Sequence, residues 1–142
     1  MDIVKVTPDK EKAKSLFDTT SVRLDLIGLA EKHDKEKYSS KIVEEYYEAI
    51  LEFITALMSL DGYKTRSDIT GAHIATIEYL KNSYREFKDN EIQFIDSLRL
   101  KRNGIKYHGK HIDPEYVKMY ESQIKHIVEK LKSILNKRLQ SD

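Results

Sequence analysis

The stretch LRLKRNGIKYHGKHIDPE, residues 98–115, holds the side chains of this chain best suited to chemistry: Arg102, Asn103, Tyr107, His108 and His111. Arg102 supplies a planar, permanently charged fork that can hold two phosphate oxygens at once. His108 carries an imidazole, whose ordinary pKa near ~6.5 suits it to exchange protons at neutral pH. Together they can cleave RNA without a metal. The imidazole takes the proton of a ribose 2′-hydroxyl, which attacks the adjacent phosphate while the guanidinium stabilises the growing charge. The products would end in 2′,3′-cyclic phosphate, and DNA, lacking that hydroxyl, would survive.

The neighbours of this pair have supporting roles open to them. Asn103 lies one helical turn from both Arg99 and Tyr107, a place from which to orient the backbone or Arg102. Asp96 is one turn before Arg99 and can hold that arginine. Tyr107 adjoins His108 and can line a nucleotide pocket, while Lys101, Lys106 and Lys110 are candidates for backbone phosphate contacts. A metal site on His108, His111 and Asp113 is the rival chemistry. Asp113 is better used as a helix cap before Pro114, and the chain has no cysteine, so neither metal nor cofactor is expected. His33 is isolated, and His73 and His126 fall inside expected helices, where packed or surface histidines are usual. The other tyrosines, among them Tyr46, Tyr47, Tyr79, Tyr84, Tyr116 and Tyr120, sit mostly at helical spacing and read as packing residues. The plain alternative also stands: an arginine near a helix end complements the dipole, and Gly104 or Gly109 ends the helix.

Spacing constrains the chemical reading. At about 100° per residue, six steps leave Arg102 and His108 roughly 120° apart around an ideal helix and about 9 Å apart along it. They converge only if the helix bends or ends at Gly104, or if a second chain supplies one of them.

The elements that must position these residues read as helices. Thr7-Pro8-Asp9 and Asp113-Pro114-Glu115 each offer a capping side chain, a proline at the first helical position and an acid facing the helix dipole. After Pro8, the positions Ala13, Leu16, Phe17, Leu24 and Ile27 form a broken stripe to about Glu31, with a bend expected near Thr19-Thr20-Ser21. From Ser40 to Leu60, Val43, Tyr46, Ile50, Phe53, Leu57 and Leu60 follow steps of three and four, and Asp61-Gly62 ends this inner helix. A third helix is expected from Asp68 to Phe87 with Ile74, Ile77, Leu80 and Tyr84 on one side. A fourth starts near Asp89 with Ile92, Ile95 and Leu98 and runs into the opening motif. The last extends from Pro114 to about Leu139 on Val117, Tyr120, Ile124, Ile127, Leu131 and Ile134. Such narrow seams predict an all-α, antiparallel bundle of about five helices in one domain, residues 1–142, or a helix-mediated dimer.

Composition agrees. With 39% apolar and 35% charged residues but only five glycines and two prolines, the 142-residue chain suits charged helices better than a sheet protein or a disordered chain. No apolar run approaches a membrane span and no signal core follows Met1, so the expected address is the cytoplasm and no membrane partner is expected. Net charge is +1, but residues 97–142 hold 11 Lys/Arg against 5 Asp/Glu. That basic third can meet phosphate.

The segment LRLKRNGIKYHG, late in an all-helical domain of this size, resembles the signature of the HEPN superfamily: an arginine, often followed by asparagine, then a histidine after four to six residues. The matching positions are Arg102, Asn103 and His108, and the helical layout extends the likeness over nearly the whole chain. The resemblance implies a metal-independent endoribonuclease, a toxin or defence component, that works as a homodimer with two motifs facing one cleft on an RNA substrate. Some relatives pair with a nucleotidyltransferase antitoxin that adenylylates a tyrosine two residues beyond the histidine; that position is Lys110 here, and Tyr107 lies on the other side of His108. Other relatives are non-catalytic nucleotide- or partner-binding modules, and fold and motif alone leave that alternative open.

Overall fold

The structure, a computed structural model, describes residues 2–66 and 71–141. Its helices are α1 (Lys10–Asp34), α2 (Ser39–Asp61), α3 (Ala72–Ser83), α4 (Asp89–His108) and α5 (Pro114–Gln140), joined by a two-stranded ladder of β1 (Ile3–Lys5) and β2 (Tyr63–Thr65). Among the described residues the chain is an all-α helical bundle of five helices, as its periodicity predicts.

The central element is α2, against which all four other helices pack. Its expected stripe is buried, Val43, Ile50, Phe53 and Leu57 completely, except at the half-buried Leu60. Ile42, Tyr47, Ala49, Ile54, Ala56 and Met58 are buried as well, so the helix is enclosed around most of its circumference. Each large apolar side chain so placed contributes roughly 1.5–3 kcal/mol as an upper bound. The helix ends at Gly62 with φ 83°, and a Cβ there would stand 2.8 Å from the Val6 carbonyl oxygen. Glycine is required on both counts.

Backbone bonds from Val6 N–H to Gly62 O and from Asp9 N–H to Ser59 O tie the amino-terminal segment to this end of α2. The segment before them pairs antiparallel with the chain beyond Gly62, Ile3 opposite Thr65 and Lys5 opposite Tyr63. This ladder lies outside the helical expectation, because three residues are too few for a period of two to register. The same bonds move the start of α1. Asp9, not Thr7, is the N-cap, its carboxylate accepting from Lys12 N–H at 2.9 Å, and Pro8 stays outside the helix. The expected bend near Thr20 is replaced by a continuous helix in which the Thr20 and Ser21 hydroxyls donate to the Leu16 and Phe17 carbonyls.

Pro114 begins α5 as expected, with Asp113 accepting from Glu115 N–H. The expected start of the third helix at Asp68 lies outside the described residues, and α3 ends at Ser83 rather than Phe87. Ile77 and Leu80 face the core, but Ile74 is 42% exposed. Asp61, at the end of α2, accepts from the Tyr79 and Tyr84 hydroxyls and pairs with Arg138, fastening α2, α3 and α5 together. In α4 the Glu91 carboxylate accepts from Lys88 N–H and pairs with Lys130 of α5. That helix runs unbroken through Gly104 and ends at Gly109, φ 62°. Among the described residues no helix is long and apolar enough to cross a membrane.

Candidate functional site

The inward rhythm of α4 continues past Ile95 and Leu98 to Arg102 and the partly buried Ile105, so the arginine occupies a core-facing position and is only 4% exposed. A buried guanidinium needs a counter-charge. Glu48 of α2 provides it, with Nη2 2.6 Å from Oε1. Nη1 donates to Asn103 Oδ1 at 3.4 Å, the orienting contact expected of Asn103, though a long one. The rings of Tyr47 and Tyr107 lie 5.8 and 5.7 Å from the guanidinium carbon. The buried Nε–H has no partner among the described residues.

Arg102 forms one wall of a cleft of about 400 Å³ with Arg99, Asn103 and Tyr107. Gly71, Ala72, His73 and Ile74, at the start of α3, line the other wall. Arg99 is held by Asp96, Nε to Oδ1 2.8 Å, as their spacing suggests. His73 places Nδ1 3.3 Å from the hydroxyl of the buried Tyr47. Burial, and next the positive charge of Arg102, hold the imidazole below its ordinary pKa. Burial pushes the Tyr47 phenol far above its own ordinary value, so it keeps its proton and can donate it to Nδ1. An apolar cavity of about 290 Å³ between α1 and α2, lined mainly by Leu26, Ile27, Ala30, Tyr38 and Ile42, has no comparable group of converging donors.

The remaining residues singled out from the sequence lie elsewhere. His108 is exposed in the last turn of α4. With no bend or helix end at Gly104, it stays about 9 Å along the helix and roughly 120° around it from Arg102. The two do not converge within one chain. Lys101 sits over the Tyr116 ring, 5.0 Å from its centroid, and Lys106 over the Tyr107 ring at 5.7 Å. Lys110 folds back on α4, its Cδ 3.4 Å from where a Gly104 Cβ would be. His111 is exposed, and Asp113 is engaged as a cap. Among the described residues no three His, Asp or Glu side chains are grouped to hold a metal ion.

Three residues are absent from the set of candidate site residues drawn from the sequence: His73 in the cleft wall, and Glu48 and Tyr47 against Arg102. One signal for Glu48 was present, since Ile95, Leu98, Arg102 and Ile105 keep the three-four rhythm. An arginine in that rhythm demands a carboxylate on the facing helix. Nothing local links His73 to Arg102. Comparison of the chain with family models, with curated proteins and with solved structures finds no match.

Proposed function

We propose that the chain is a metal-independent endoribonuclease of HEPN type. Arg102 holds the scissile phosphate, and His108 from a second copy of the chain takes the proton of the 2′-hydroxyl. The observation that carries this reading is the state of Arg102: a buried, pre-oriented guanidinium in the wall of an open cleft, its Nε–H without a partner among the described residues. A donor kept in that state costs about 1–3 kcal/mol unless something accepts from it, and a phosphate oxygen would once the cleft wall moves aside to admit it. The exposure of His108 leaves its imidazole free to enter a neighbouring chain's cleft. Ile74 and Tyr107 at the rim, with Leu100 on the same side of α4 as Tyr107, present apolar surface that a second chain can cover.

Substitution of His108 tests the chemistry. His108→Ala is expected to leave the dimer intact and to lower RNA cleavage by roughly 10²- to 10⁴-fold, the usual worth of a general base. Wild-type cleavage should survive a strong chelator and leave 2′,3′-cyclic phosphate ends. Absence of cleavage across varied RNAs, or an alanine variant as active as wild type, refutes the proposal.

The Glu48–Arg102 pair favours a second reading, because a carboxylate that already neutralises the arginine reduces its pull on a transition state. In that reading the chain is a non-catalytic nucleotide- or partner-binding module, paired with a nucleotidyltransferase as in a toxin–antitoxin system. It predicts that nucleotide or partner binding persists in the His108→Ala variant and that no RNA is cut.

A further inference from the structure

The wall opposite Arg102 has its own potential as a ligand surface. α3 begins there, with Gly71 as its N-cap and no side-chain acceptor supplied by that residue, so the positive end of the helix dipole meets the cleft. His73 stands in the first turn, half-buried, with Nδ1 directed at Tyr47 and Nε2 without a partner among the described residues. A helix start alone is common. Here it faces a buried arginine whose Nε–H has no partner among the described residues, and the Tyr47 ring bridges the two groups, 5.8 Å from the guanidinium and 5.8 Å centroid to centroid from the imidazole.

We infer that His73 and the amino-terminal turn of α3 form a phosphate subsite opposite Arg102, in which Nε2–H of His73 donates to an oxygen of an RNA backbone phosphate. The inference rests on reading the cleft as phosphate-directed and adds a positioning residue to it. A proton donated by Tyr47 to Nδ1 fixes the neutral tautomer with its hydrogen on Nε2, the orientation a phosphate oxygen needs. The ionisable groups around the ring are Tyr47, Glu48 and Glu52 on α2, and Arg99, Arg102 and Lys106 on α4. Glu48 and Asp96 already balance Arg102 and Arg99. An arriving phosphate therefore adds negative charge that an imidazolium would offset, and its binding should raise the titration midpoint of His73.

The test follows the imidazole resonances of the full chain by NMR, with His73 assigned from the His73→Gln variant, on addition of inorganic phosphate and then of a 2′-O-methyl RNA oligonucleotide that cannot be cleaved. Both probes should shift the His73 resonance and raise its midpoint. His73→Ala should weaken oligonucleotide binding about tenfold, the loss of one hydrogen bond to a charged group. His73→Gln should stay within about threefold of wild type, since the amide N–H of glutamine can replace the Nε2 donor. A resonance unmoved by saturating phosphate, or an alanine variant that binds as wild type, overturns the subsite. The two levels separate cleanly: His73-dependent phosphate binding without RNA cleavage retains the subsite and rejects the ribonuclease. Cleavage with a fully competent His73→Ala variant does the reverse.

Discussion

Arg102 carries a structural load and, in the proposed reading, a functional one, and the two make different demands. Its burial costs desolvation that Glu48 offsets, so removing only the carboxylate leaves a buried charge unpaired. Glu48→Ala should lower stability by about 2–3 kcal/mol in urea unfolding, the wet edge of Glu48 moderating the loss. Adding Arg102→Met should recover most of it, because the methionine suits the apolar face. His73 gives a pH signature. Its folded-state pKa lies below the ordinary imidazole value, so the unfolded chain binds the proton more readily. The stability it contributes is fully present above about pH 6.5 and is lost as pH falls from there through the folded value. His73→Gln should flatten that part of a stability–pH curve. At this scale the proposed motif rests on residue type and spacing, because arginine and histidine have few substitutes in phosphate chemistry. The other wall was not legible in the sequence, since His73 and Tyr47 come together only through tertiary packing.

At the scale of elements, local signals were readable where the chain obeys them alone. The three-four stripe of α2 and the Asp113-Pro114 cap of α5 are set by periodicity and first-turn chemistry, and both stand as expected. Thr7-Pro8-Asp9 looked the same, but bonds to Gly62 and Ser59 held its backbone outside the helix. A tertiary contact displaced a local preference. Gly104 is the other instructive position: glycine lowers helix propensity, yet the core contacts of Leu98, Arg102 and Ile105 on either side hold α4 together through it. Gly104→Ala should therefore stabilise the protein by about 0.5–1 kcal/mol, the flexible Lys110 side chain yielding slightly, and should leave cleavage unchanged. Gly109→Ala should cost about 1 kcal/mol, because its φ of 62° is a left-handed helix end. Thermal unfolding of the two variants distinguishes an interior glycine from a terminating one.

For the whole molecule, the unbroken α4 moves the question of convergence from one chain to two. One copy presents Arg102 within a cleft and His108 at an exposed helix end; composition and periodicity could predict the bundle but not how copies of it meet. The central claim is that the reactive pair is completed between chains, and mixing two inactive variants tests it most directly. Arg102→Ala and His108→Ala chains, each inactive alone, should regain RNA cleavage when unfolded together and refolded as mixed dimers, because one intact Arg102 then faces one intact His108. The expected recovery, with one competent pair in each mixed dimer, approaches half of the wild-type rate per dimer. If mixed dimers form, by mass spectrometry of the native complex, and cleavage stays at the level of the separate variants, the pair is not assembled between chains and the account is wrong.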